Sequence, residues 1–174
     1  MAFEIDFQNN VDAPDIPTAR ITAAISQILT AHRIPPDTSL TIVITDDDQV
    51  AALNEQFRGV AAPTDVLSFP ADDPLPPSEW HTLEESDLYL GDLLIAYPYT
   101  VHQAAELGHA IADELILLSI HGTLHLLGYD HDTPENQDAM WRVQHEALSG
   151  ANVPIVVPRF TFDDPALPDD GDTF

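Results

Sequence analysis

The chain of 174 residues contains no cysteine. Disulfide bonds and thiolate metal sites are therefore excluded. The missing cysteines do not identify the redox compartment.

Positive charge is almost as scarce. Five basic residues, all of them arginine, stand against 30 acidic residues, for a net charge of -25. The arginines are scattered along the chain, at Arg20, Arg33, Arg58, Arg142 and Arg159. They cannot form the basic surface that binds long nucleic acids or anionic membranes. The excess of acid fits two interpretations: a merely soluble surface, or a salty cytoplasm whose counterions screen the self-repulsion.

Long hydrophobic runs are also missing. The longest, around Leu115 to Leu118, is far too short to cross a bilayer, and the N-terminus lacks the basic and apolar regions of a secretory signal. We therefore expect a cytoplasmic protein with no membrane partner. The length suits one domain, which we assign to residues 1–158. We expect an exposed, acidic, proline-rich loop at residues 71–87 and a disordered acidic tail at residues 159–174.

Hydrophobic patterning predicts an α+β fold. Period-two alternation and β-branched runs predict strands at residues 3–7, 40–44, 66–69 and 88–95. Helical spacing and capping signals predict helices at residues 17–33, 46–59, 98–108, 111–127 and 134–148. In the second helix, Asp46 is the expected N-cap, Gly59 the stop, and Val50, Leu53 and Phe57 the buried side. Strands early and helices late favour a small mixed sheet of about four strands packed with about five helices.

The stretch HGTLHLLGYDH carries the chemistry. His121 and His125 are four residues apart on a predicted helix, so both imidazoles project from one face. Gly128 can end the helix in a left-handed conformation and fold the chain back, which brings His131 towards the pair. Three neutral imidazoles suit zinc and leave a fourth position for water. Nickel and copper also accept such ligands.

The spacing matches the H-E-x-x-H-x-x-G-x-x-H pattern of metzincin peptidases at every ligand and at the glycine. The predicted metal site is therefore zincin-like, on a helix and the following turn. Gly122, however, stands where the general-base glutamate of those peptidases belongs. Zinc itself lowers the pKa of bound water to about 7, so hydroxide can form without that glutamate.

The chain resembles the YbeY endoribonucleases, the rRNA maturation factors, whose H-G-x-L-H-L-x-G-y-D-H signature fits residues 121–131. Leu53-Asn54 with Arg58, the segment PTDVLSFP at residues 63–70, and Leu90-Gly91-Asp92 extend the resemblance. So do Glu114, Met140 and Glu146, and together the similarity covers about residues 3 to 150.

This resemblance implies a zinc-dependent, single-strand-specific endoribonuclease that acts in 3′-end maturation of small-subunit rRNA and in ribosome quality control. It implies His121, His125 and His131 as ligands of one zinc ion. It also implies Arg58 as a residue needed for activity, with rRNA as substrate and ribosomal or ribosome-associated proteins as further partners.

Several alternatives stay open at this stage. Arg58 could pair with phosphate oxygens, or it could only favour a helix C-terminus. Asp130 could orient a ligand histidine or only shape the turn, and Asp65 fits a turn or cap position. The other histidines fit surface or packing roles. Two further functions compete: a non-catalytic ribosome assembly factor with structural zinc, and a zinc peptidase, which Gly122 disfavours.

Overall fold

The computed structural model describes residues 3–59, 64–71 and 88–157. The strands are β1 (Glu4–Asn9), β2 (Ser39–Thr45), β3 (Val66–Pro70) and β4 (Tyr89–Ala96). The helices are α1 (Thr18–Ala31), α2 (Asp47–Arg58), α3 (Tyr97–Leu107), α4 (Ile111–Leu126) and α5 (Pro134–Gly150). The predicted α+β class is confirmed, with each predicted element present. The predicted tail, and all of the predicted loop except Ala71, lie outside the described residues.

The four strands form one mixed sheet in the order β1-β2-β4-β3. The strands β1, β2 and β4 are parallel, whereas β3 is antiparallel to β4. Strand β1 alternates between half-buried and exposed residues, as expected of an edge strand, while β2 is buried along most of its length. The elements follow the predicted order along the chain, and α1 is the crossover helix that the parallel neighbours β1 and β2 need.

The core lies on both faces of the sheet. The larger cluster joins one face to α1, α4 and α5, and a smaller one includes Val50 of α2 on the other face. The buried residues of α1 are those that the helical spacing predicts: Ile21, Ala24, Ile25, Ile28 and Leu29. Helix α4 is buried almost all round, which is typical of a central helix. Within the described ranges, no helix is long and apolar enough to span a membrane.

Helix α2 begins and ends as predicted, but one of its expected core residues is exposed. The Asp46 side chain accepts a hydrogen bond from the backbone N–H of Gln49, and Gly59 is left-handed with a φ of 74°. Phe57, expected on the buried side, is 60% exposed. It lies in the last turn of the helix, where it packs edge-on against Phe69 with ring centroids 5.2 Å apart.

The segment Leu90-Gly91-Asp92 forms an irregularity in β4. The register between β2 and β4 shifts here: Tyr89 pairs with Ser39 and Asp92 pairs with Thr41, so β4 has one more residue than β2 between the two pairs. Gly91 has a φ of 137°, and a Cβ at this position would lie 2.2 Å from the carbonyl oxygen of Phe69. Only glycine therefore allows β3 and β4 to approach at this point.

Candidate metal centre

The three histidines of the signature meet at the C-terminal end of α4. His121 and His125 lie on the helix and His131 on the turn that follows, and their ligand atoms all lie within 4.8 Å of one another. The ring centroids are 4.7 Å apart for His121 and His125, 5.5 Å for His121 and His131, and 5.1 Å for His125 and His131. The side chains of His121 and His131 are buried and that of His125 is half-buried.

The turn that carries His131 is a helix C-terminal motif. Gly128 has a φ of 99° and its N–H donates to the carbonyl oxygen of His125. The N–H of Tyr129 donates to the carbonyl oxygen of Leu124. This pair of bonds is the Schellman pattern, in which a left-handed residue after the helix reverses the chain. The reversal brings His131 back over the last turn of the helix that carries the other two histidines.

Two of the rings are held in one tautomer by their neighbours. Nδ1 of His121 lies 2.8 Å from Oε1 of Gln144, and Nδ1 of His125 lies 3.0 Å from the carbonyl oxygen of Tyr129. Because a carbonyl oxygen only accepts, each Nδ1 carries the hydrogen and donates it. In the neutral rings this leaves the lone pairs on the two Nε2 atoms.

The distance between these nitrogen atoms suits a metal ion. The Nε2 atoms of His121 and His125 lie 3.1 Å apart. In a tetrahedral site with zinc–nitrogen bonds of about 2.0–2.1 Å, two ligand nitrogens are about 3.3 Å apart. Two lone pairs that face each other at this distance are stabilised by a shared cation. The donor set therefore fits a divalent ion of the imidazole-binding class.

The surroundings of His121 favour its neutral form. Burial holds the pKa of His121 well below its ordinary value of 6.5, and the neighbouring His125 and His131 lower it further, against the opposing hydrogen bond with Gln144. Trp141 packs nearly perpendicular to the rings of His121 and His131, with centroid distances of 6.1 and 5.6 Å. Because a metal ligand must be unprotonated, this apolar wall favours metal binding at neutral pH.

The glycine at the metzincin glutamate position is explained by packing. A Cβ on Gly122 would lie 2.8 Å from Cδ2 of Leu93 and 3.3 Å from Oγ of Ser68. The Ser68 hydroxyl donates to the carbonyl oxygen of Gly122 over 3.3 Å. Helix α4 therefore lies directly against β3 and β4 here, which leaves no room for a glutamate without displacing Leu93. This contact disfavours the peptidase hypothesis.

The other two candidates, Arg58 and Asp130, lie at the end of α2 and on the turn before His131. Arg58 is the last residue of α2, the end at which a cation is favourable; its side chain lies outside the described part of the structure, so its role stays a prediction. Asp130 is exposed, and its carboxylate accepts the backbone N–H of His131 over 2.8 Å. It thus shapes the turn and positions His131 through the main chain.

A buried network of acids lies towards the N-terminal end of α4. Asp65 and Glu114 are each 1% exposed, and the side-chain amide of Gln103 donates to both, over 3.2 and 3.0 Å. Nδ1 of His109 lies 2.7 Å from the other oxygen of Glu114. Burial raises the pKa of Asp65 to about 7 and the charge of Glu114 adds to this rise, although hydrogen bonds from Gln103 and the Val66 N–H oppose it. The carboxylate of Asp65 also accepts the backbone N–H of Val66 at the start of β3.

Sequence reasoning missed the partners that orient the ligands. Gln144 and Trp141 lie on α5, and nothing in their local sequence marks them as neighbours of the histidines. Tyr129 stands inside the signature, but the part that contacts His125 is its main-chain carbonyl group, which no side-chain pattern reveals. Of the remaining histidines, His102 is exposed and pairs with Glu106 on its own helix, in keeping with a surface role.

Comparison with known proteins identifies one family. The family model described as "Endoribonuclease YbeY" matches residues 6–152. The Endoribonuclease YbeY of Chloroflexus aggregans is 44% identical over 136 residues, which cover 78% of this chain and 88% of that protein. The Endoribonuclease YbeY of Gloeobacter violaceus is 41% identical over 154 residues, or 87% of this chain and 76% of that protein.

A solved structure shares the fold. The solution structure of TM1509 from Thermotoga maritima superimposes with a TM-score of 0.57 at 26% sequence identity, covering 84% of this chain and 88% of that one. Because the family match spans the sheet, α4 and the histidine turn, the chain belongs to the YbeY endoribonuclease family.

Proposed function

We propose that this protein is a zinc-dependent, single-strand-specific endoribonuclease that acts in the cytoplasm in 3′-end maturation of small-subunit rRNA and in ribosome quality control. Membership of an endoribonuclease family supports RNA cleavage. The observation that carries the zinc dependence is the pair of facing Nε2 atoms of His121 and His125, 3.1 Å apart, with His131 beside them.

The residues of the chain divide the work at this site. His121, His125 and His131 would hold the ion, while Gln144 and the Tyr129 carbonyl group keep two of the rings in the ligating tautomer. A bound zinc ion supplies an activated water and polarises a phosphoryl oxygen. Because His125 is only half-buried, solvent and substrate would approach the ion from its side.

Arg58 is the proposed phosphate-binding residue. A guanidinium group pairs with phosphate oxygens in a fixed fork and can stabilise the charge that develops during cleavage. This assignment rests on the family motif and on the position of Arg58 at the end of α2.

The net charge of -25 constrains how RNA reaches the site. Arg20, one of the few cations, is already paired with Asp113 at 3.3 Å. Binding of a polyanion must therefore rely on a locally positive cleft, on screening by salt or on a protein partner that delivers the RNA. Ribosomal or ribosome-associated proteins are the proposed partners, and all three routes predict weak cleavage of naked RNA at low salt.

The central experiment combines metal analysis with RNA cleavage. Purified protein is analysed for bound metal and assayed on single-stranded and duplex RNA at several salt concentrations. His125→Ala and Arg58→Ala are compared with His102→Ala, which alters an exposed histidine outside the site. We expect Arg58→Ala to slow cleavage about 10²- to 10³-fold. His125→Ala should lose both metal and cleavage, whereas His102→Ala should retain both. If His125→Ala and Arg58→Ala cut as fast as the parent, the assigned site is wrong.

The burial of two of the three ligands also suits a structural zinc, so a non-catalytic assembly factor is the second candidate. On that hypothesis His125→Ala unfolds the domain, and Arg58→Ala leaves rRNA 3′ ends unchanged in a strain depleted of the native protein. Mapping those 3′ ends therefore separates the two functions.

A further inference from the structure

The side chain of Tyr129 links the turn that carries His131 to the C-terminal end of α1. Its hydroxyl oxygen lies 2.7 Å from Nε2 of His32, the residue that caps α1. The two rings are perpendicular, with an interplanar angle of 89° and centroids 5.5 Å apart. His32 and Tyr129 are separated by 97 residues in the sequence, so this contact exists only in the folded protein.

The carbonyl oxygen of Ile28, which contacts the other nitrogen of the His32 ring, determines which atoms of this link donate and which accept. Nδ1 of His32 lies 2.7 Å from the carbonyl oxygen of Ile28, which can only accept, so Nδ1 donates. In the neutral ring Nε2 is then an acceptor, and the hydroxyl of Tyr129 donates to it. A tyrosine hydroxyl has an ordinary pKa of about 10 and therefore carries its hydrogen at neutral pH.

Tyr129 thus connects α1 to the metal site. Its side chain is tied to α1, while its carbonyl oxygen accepts the Nδ1–H of His125. His131 follows it by two residues on the same turn. A rotation of the Tyr129 peptide group would therefore move the acceptor that orients one ligand and the main chain that carries another.

We propose that His32 is a positioning residue of the metal site, which acts through the hydroxyl of Tyr129 to hold the turn and the ring of His125 in the ligating arrangement. This inference rests on the metal-binding part of the proposed function. Outer partners of ligand histidines typically change metal affinity or activity about 10- to 100-fold when removed. His32 reaches the ligand His125 only through Tyr129, so we expect a loss of metal affinity at the lower end of that range.

The test measures metal binding and not cleavage. His32→Leu removes the acceptor, Tyr129→Phe removes only the hydroxyl, and His32→Gln offers an amide oxygen as a substitute acceptor. His102→Leu is the matched control at an exposed histidine. Co²⁺ serves as the probe, because its visible absorption reports ligand geometry and chelator competition gives its dissociation constant. Thermal unfolding of the metal-free variants shows whether each is folded.

We expect His32→Leu and Tyr129→Phe each to weaken Co²⁺ binding about 10-fold and to change its absorption spectrum. The double variant should be no weaker than either single one, because both remove the same link. His32→Gln should recover part of the affinity, and His102→Leu should match the parent.

Unchanged Co²⁺ affinity in both single variants, or losses that add in the double variant, would overturn the positioning role. The positioning role would also be overturned if each variant lost Co²⁺ affinity only in proportion to its loss of thermal stability. If the parent itself binds no metal, the proposed function fails as well. If the parent binds Co²⁺ and the variants bind it equally, only the role of His32 is refuted.

Discussion

The buried carboxyl group of Asp65 should make the stability of this protein fall as the pH rises. Its pKa rises from the ordinary value of 3.8 to about 7, mainly because burial disfavours the charged form. At about 1.4 kcal/mol per pH unit, this rise corresponds to about 4 kcal/mol of unfolding free energy. The side chain is 1% exposed, so solvent screening reduces this value little. Compared with a total stability of about 5–15 kcal/mol, the effect is large.

The direction follows from where the proton is bound. Below pH 4 the carboxyl group is protonated in both the folded and the unfolded chain, and there is no penalty. Between pH 4 and 7 the unfolded chain releases the proton while the folded protein keeps it, so the free energy of unfolding falls. Above pH 7 both are ionised and the penalty stays constant.

The substitution Asp65→Asn removes the titrating group. Chemical unfolding followed by circular dichroism, with a chelator present so that metal binding does not contribute, gives the free energy of unfolding at several pH values. From pH 4 to 8, the stability of Asp65→Asn relative to the parent should increase by about 4 kcal/mol. Any loss of hydrogen bonds to Gln103 shifts all the values together and leaves this pH dependence intact.

Asp6→Asn is the matched control, because it makes the same chemical change at an exposed position of β1. Its stability relative to the parent should vary little over the same range. Parallel pH profiles for the parent and Asp65→Asn would refute the reasoning and would mean that the folded protein solvates the Asp65 carboxylate.

Two further predictions concern the strand irregularity and the ligand orientation. Gly91→Ala should destabilise the protein by about 3 kcal/mol or more in thermal unfolding, since it combines a positive φ with a Cβ 2.2 Å from the Phe69 oxygen. Gly108→Ala, also at positive φ but with open space around it, should cost only about 1 kcal/mol, and equal losses would contradict the clash. Gln144→Leu removes the acceptor for His121 and should weaken zinc binding about 10- to 100-fold in a chelator competition; unchanged affinity would show that the acceptor does not orient the ring.

Local patterns were sufficient for most of the secondary structure. The apolar residues of α1 recur at helical spacing because one face packs on the core, and all five expected positions are buried. The bounds of α2 follow from Asp46 and Gly59, whose capping roles depend on chemistry within a few residues. Phe57 shows the limit of such reasoning, because its exposure depends on what lies opposite the last turn of the helix.

The sheet could not be predicted in the same way. Strand order and the antiparallel position of β3 depend on contacts between residues far apart in the chain. The tight packing around Gly122 likewise comes from Leu93, which approaches the helix from β4.

The amino-acid sequence alone determined the elements and the three histidines, since a four-residue spacing on a helix and a left-handed glycine after it bring imidazoles together through local geometry. Tertiary structure alone decided how the ring of His121 is oriented and how the acids are buried. Gln144 reaches His121 from another helix, and His32 reaches Tyr129 across 97 residues. Burial raises the pKa of Asp65 to about 7, in a folded environment that includes Gln103 of α3 and Glu114 of α4. Tautomers and pKa values depend on the dielectric and hydrogen-bonding surroundings, which arise from distant segments packed together.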